Sequence, residues 1–141
     1  MIEINNKTRS NISLKLIEDV SLDFLKYYKK QRYSVSIAFV GDVKIRQLNK
    51  KYRKKDKTTD VLSFVNADSK FINDNELGEL IINYQQIKKQ AKKYKKTVKQ
   101  ELVFILVHGL LHLIGHDDRI EKERLKMITM ANKFILTLKY V

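Results

Sequence analysis

A single α+β domain is the architecture this sequence predicts, and three features predict it. Short segments with alternating apolar residues are interspersed with longer ones whose apolar residues recur every three or four positions. One further run, residues 102–107, is apolar on every side and therefore belongs inside the molecule. The chain has 141 residues, enough to enclose one hydrophobic core. The expected arrangement is about four short strands in one mixed sheet with helices packed on it.

The elements follow in chain order. Residues 1–6 alternate, with Ile2 and Ile4 apolar, and suit an edge strand. Residues 13–31 place Leu14, Ile17, Phe24, Leu25 and Tyr28 at helical spacing. Ser34 to Val40 is a strand with Val35, Ile37 and Phe39 on one face. Asp42, after Gly41, suits the N-cap of a helix that turns Ile45, Leu48 and Tyr52 inward. Thr59–Phe64 and Gly78–Ile82 read as strands, with a polar loop over 65–76 between them. Tyr84, Ile87, Ala91 and Tyr94 mark another helix. Thr97 and Gln100 have capping-box spacing and open the helix that contains the apolar run. The last helix starts near Asp118 and carries Ile120, Leu125, Ile128, Ala131, Phe134, Ile135 and Leu138. No repeat and no Gly/Ser tract divides the chain, so residues 1–141 form one domain.

Composition narrows the function classes. There is no cysteine, so a metal here must be held by imidazole and carboxylate. No apolar run approaches the ~20 residues that span a membrane, and the N-terminus lacks a signal peptide's basic head and apolar stretch. The expected location is cytoplasmic, with no membrane partner. Lys and Arg number 29 against 16 Asp and Glu, for a net charge of +13. A balance of this kind favours a polyanion, with nucleic acid first.

All three histidines fall between positions 108 and 116, in His108-Gly109-Leu110-Leu111-His112-Leu113-Ile114-Gly115-His116-Asp117-Asp118. Residues four apart lie one above the other on a helix face, so His108 and His112 can reach one ion. They sit at the end of the buried central helix, on the most rigid element of the domain. Gly115 lets the chain turn back, and His116, Asp117 or Asp118 then closes the site as third ligand, with Asp118 and His116 the stronger candidates. Asp117 is a candidate to hold an imidazole tautomer. Asp118-Arg119-Ile120-Glu121 also has the form of an N-cap with a reciprocal glutamate, a competing use for Asp118. A helical zinc protease has a glutamate base directly after its first histidine; here that residue is Gly109. A metalloprotease-like hydrolase is therefore a poor fit.

Cations suit a phosphodiester better. One basic stretch holds Lys50, Lys51, Arg53, Lys54, Lys55 and Lys57; a second runs from Lys88 and Lys89 to Lys99 and includes Lys92, Lys93, Lys95 and Lys96, with Tyr94 interleaved. Lys50, Lys51, Lys54 and Lys55 of the first and those four of the second are candidate RNA contacts. Arg53, just before a strand, is the candidate catalytic cation, because guanidinium takes phosphate bidentately.

The His108–Asp118 segment resembles the signature of the YbeY family of bacterial rRNA-maturation endoribonucleases, His-Gly-x-Leu-His-Leu-x-Gly-x-Asp-His. Leu48-Asn49-x-x-Tyr52-Arg53, Thr59-Asp60-Val61-Leu62-Ser63-Phe64 and Leu77-Gly78-Glu79-Leu80-Ile81-Ile82 resemble further family blocks, in order. The resemblance implies a zinc-dependent, single-strand endoribonuclease that acts in small-subunit rRNA 3′-end maturation and ribosome quality control. It implies one Zn²⁺ per chain, held by His108, His112 and the position of Asp118, and a functional role for Arg53. Its implied partners are ribosomal RNA and the small ribosomal subunit; no protein partner is evident. The family's third ligand is histidine, where this chain has aspartate. Carboxylate still suits zinc, but it lowers the ion's Lewis acidity and admits Mn²⁺ or Mg²⁺. That departure keeps a second class open, a non-enzymatic RNA- or ribosome-binding assembly factor with a structural metal.

Overall fold

The computed structural model describes residues 1–66 and 75–141. Nine elements alternate along them: β1 (Ile2–Asn6), α1 (Leu14–Tyr27), β2 (Ser34–Val40), α2 (Asp42–Arg53), β3 (Val61–Val65), β4 (Glu76–Asn83), α3 (Tyr84–Lys93), α4 (Val98–Leu113) and α5 (Glu121–Ile135). The strands form one mixed sheet in the order β1-β2-β4-β3. β1 and β4 run parallel to β2, and β3 is antiparallel to β4 on the outer edge. The expected α+β domain is present. The expected polar loop lies mostly outside the described residues: β3 ends at Val65 and β4 begins at Glu76.

Strand alternation divides the core. Val35, Ile37, Phe39, Leu80 and Ile82 face a large cluster with α1, α3, α4 and α5. Ala38, Val40, Leu62 and Ile81 face the other way, onto Ile45 of α2. The helix α4 runs through the large cluster, with Leu106, Leu110 and Leu111 fully buried. Truncating any one of them to alanine costs about 2–5 kcal/mol, so this helix is a firm base for whatever it carries. Its start is the expected capping box: Thr97 Oγ1 accepts from the Gln100 amide at 3.1 Å, and Gln100 Oε1 accepts from the Thr97 amide at 2.9 Å.

Four local expectations need correction. Gly41, not Asp42, is the N-cap of α2, and it makes no side-chain cap bond. The Asp42 carboxylate instead accepts from buried Asn83 at 2.6 Å. Tyr52 is 53% exposed although it lies at the spacing of Ile45 and Leu48, because it lies over the outer strand β3, where it meets the half-buried Phe64 ring edge-on. Leu14, Ile120 and Leu125 are also exposed, while Met127 is buried in the position expected of Leu125. Finally, α5 starts at Glu121 with Ile120 as N-cap, and no side chain caps it. Asp118 is therefore released from the capping role.

Candidate metal centre

The last two turns of α4 carry His108 and His112, and the chain then leaves the helix through Gly115. The amides of Gly115 and His116 donate to the His112 and Leu111 carbonyls, and Gly115 has φ of 104°, a conformation glycine adopts without side-chain strain. This turn returns Asp118 to the histidine pair. His108 Nε2 and His112 Nε2 lie 3.2 Å apart, and Asp118 Oδ2 is 3.3 Å from the first and 3.5 Å from the second. A tetrahedral ion with bonds of about 2.0–2.1 Å holds its ligand atoms about 3.3–3.4 Å apart. The three atoms thus fit one face of such an ion. His116 lies outside this donor group, although it lines the same cleft.

Electrostatics agree with a ligand role. Burial, and then the neighbouring His112 ring, hold the His108 imidazole below the ordinary value of 6.5, against the opposing pull of Asp118 and Asp60. The neutral imidazole, the form that binds a metal, is thereby favoured. His116 is lowered by burial and by Lys126 and His112. Asp117 does not orient an imidazole: its carboxylate pairs with Arg119 Nε at 2.9 Å and accepts the Asp118 amide at 2.7 Å. That local bond holds the turn that presents Asp118.

Gly109 faces the sheet. A Cβ there would meet Leu80 side-chain carbons at 3.0 and 3.1 Å. A side chain at this position would first have to displace Leu80 from its packing on β4, and the general base that a helical zinc protease carries there is absent.

The three donors sit in a cleft of about 690 Å³ between α4, the 115–119 turn and the β3 edge. Of the predicted site residues, Arg53 and Lys55 line it with the metal group. Arg53 donates to the Ser63 carbonyl and its guanidinium lies 5.1 Å from the Phe64 ring centroid. Lys50, Lys51, Lys54, Lys92, Lys93, Lys95 and Lys96 are not part of the lining. Lys96 is committed to buried Glu101 at 3.4 Å. Lys57 and Arg119 do line the cleft, but nothing in the local sequence separates them from other cations. Asn49 positions this wall: its buried amide donates to the Lys57 carbonyl at 2.9 Å.

Asp60 is a further cleft residue the sequence did not single out. Gln90 Nε2 donates both to Asp60 (3.3 Å) and to Glu101 (2.9 Å). Glu101 lies on the same stripe of α4 as His108, two turns earlier. A glutamate opening a buried apolar helix was the available signal, because a buried carboxylate needs partners.

Two imidazoles and one carboxylate that could hold a metal ion, in a cation-edged cleft, are the arrangement found in the class of metal-dependent hydrolases. A family model described as Endoribonuclease YbeY matches residues 2–139. Proteins named Endoribonuclease YbeY are 44% identical over 106 residues in Thermodesulfovibrio yellowstonii (74% of this chain, 67% of that one) and 37% identical over 138 residues in Finegoldia magna (94% and 88%). One from Buchnera aphidicola is 36% identical over 141 residues (99% and 88%). The solution structure of a Thermotoga maritima protein has the same fold, with a TM-score of 0.65 at 24% identity over 97% of this chain and 90% of that one. The chain belongs to the YbeY endoribonuclease family.

Proposed function

We propose that this protein is a single-strand-specific, metal-dependent endoribonuclease that acts on ribosomal RNA in small-subunit 3′-end maturation and quality control. The observation that carries the reading is the triangle of His108, His112 and Asp118 donor atoms in a cleft edged by Arg53, Lys55 and Lys57. One divalent ion per chain fits this set. Zinc suits two imidazoles and a carboxylate, and the carboxylate also admits Mn²⁺ or Mg²⁺. When bound, the ion supplies Lewis acidity at the phosphodiester.

The chain's own residues do the rest. His108 and His112 are presented side by side, one turn apart, by a rigid helix. Asp118 adds the charge that fixes the ion's position. Arg53 reaches the cleft from the end of α2 and offers a planar pair of donors to a phosphate. A donor that stabilises developing charge is typically worth on the order of 10²-fold in rate.

Elemental analysis of the purified protein and of His112→Ala tests the metal, and His116→Ala against Asp118→Ala tests the third ligand. Cleavage of single-stranded rRNA precursor, before and after chelation and with Zn²⁺, Mn²⁺ or Mg²⁺ restored, tests the chemistry. The expected result is about one ion per chain, lost in His112→Ala, and cleavage that follows the metal. RNA bound tightly but left intact with every metal would make the protein an assembly factor and overturn the enzymatic reading.

A further inference from the structure

We propose that Tyr52 and Phe64 form a stacking subsite for one unpaired nucleobase, joined to the metal cleft by Arg53. Resting on the RNA-cleaving reading above, the subsite gives the path of the strand as it leaves the cleft. Tyr52 occupies the apolar stripe of α2, yet the residue is 53% exposed. It stands at 73° to the half-buried Phe64 ring, with centroids 5.3 Å apart. The pair presents aromatic surface to water on the α2 face of the outer strand.

Side-chain alternation along β3 connects this patch to the chemistry. Ser63 lines the cleft, while Phe64 packs with the α2 cluster. The Arg53 side chain touches both, through its hydrogen bond to the Ser63 carbonyl and its stack on Phe64. A phosphate held by Arg53 therefore has the metal group on one side and the two rings on the other. Single-stranded RNA alternates phosphate and base along its length, and its bases are free to stack on protein rings; bases in a duplex are already stacked on each other. The subsite thus supplies a reason for preferring single strands.

Charge chooses a nucleobase over an apolar protein segment. Lys50, Lys51, Arg53 and Lys54 surround Tyr52 in the sequence, and Lys51 Nζ lies 5.1 Å from its ring. Asp56 is already bound to Arg46 at 2.9 Å. Glu79 is the cross-strand neighbour of Phe64, so it repels a backbone from the inner side and leaves the outer path over Arg53.

The test uses the full chain and a short single-stranded RNA, with and without one abasic nucleotide, titrated at several salt concentrations. Tyr52→Leu should weaken binding by about 5- to 100-fold, the usual effect of removing one stacked base. Its salt slope should match wild type, since no phosphate contact is lost. Tyr52→Phe should bind like wild type. The abasic RNA should lose the same factor on wild type and nothing further on Tyr52→Leu. Tyr52→Leu affinity equal to wild type, or a loss accompanied by a shallower salt slope, overturns the subsite. If that happens while wild type still binds and cuts RNA in a metal-dependent way, only the subsite falls. If wild type neither binds nor cuts, the functional reading falls and the subsite with it.

Discussion

Gly78→Ala should disrupt the domain at the junction of its two working parts. Gly78 has φ of 151°, and β2 and β4 shift register beside it, between Ser34 and Val35. A Cβ at this position would fall inside the carbonyl oxygen of Phe64 and 2.9 Å from Leu113 Cδ2. The first contact is backbone of β3 and cannot rotate away. The second is the end of the helix that bears the histidines. The backbone conformation costs a side-chain residue about 1–3 kcal/mol, and forcing an extra carbon into packed surroundings costs about 1–3 kcal/mol more. The middle of the combined range, about 4 kcal/mol at about 3–5 °C per kcal/mol for a chain of this size, lowers Tm by about 12–20 °C. Gly115→Ala is the internal control, because φ is 104° there but no atom lies within 4 Å of the added carbon. Far-UV circular dichroism melts of the metal-free proteins should rank wild type above Gly115→Ala and Gly115→Ala above Gly78→Ala. Gly78→Ala melting level with the Gly115 variant would refute the steric reasoning.

Other positions give sharp expectations. Gly109→Glu should not create a protease; its side chain enters the Leu80 packing, and urea unfolding should show a loss above about 3 kcal/mol. Ser21→Ala should stabilise the protein by about 1 kcal/mol, because Ser21 Oγ is the buried side-chain atom without a partner among the described residues; a lower Tm contradicts this. In the metal-free protein, an NMR titration should place the His108 midpoint below 6.5. The unfolded chain then binds the proton first as pH falls, so this group's contribution to stability is present above 6.5 and is lost as pH drops through the folded value. A midpoint above 6.5 would reverse that sign.

Local chemistry was legible in the sequence, while placement across the fold was not. The capping box and the apolar run defined α4, and four-residue spacing placed His108 and His112 together, since both depend on neighbours along one helix. Asp118 carried two equally good local meanings. The choice between them rests on where α5 begins and on the Gly115 turn, which brings Asp118 Oδ2 to the pair. Tyr52 shows the same limit: periodicity gives the stripe of a helix but not how far the sheet extends beneath it. Lys57 and Arg119 reached the cleft wall through the path of their loops, which no residue type announces. The lysines of the second row, expected as RNA contacts, lie outside the cleft lining, and Lys96 pairs with Glu101.

The hydrogen bond from Arg53 to Ser63 has a consequence for the solution behaviour of the protein. β3 is an outer strand of the sheet, and an open strand edge is a template on which another chain can pair. A charged side chain laid across that edge is one of the devices that discourage such pairing. Arg53→Ala removes that guard, and concentration-dependent self-association in sedimentation is the expected sign.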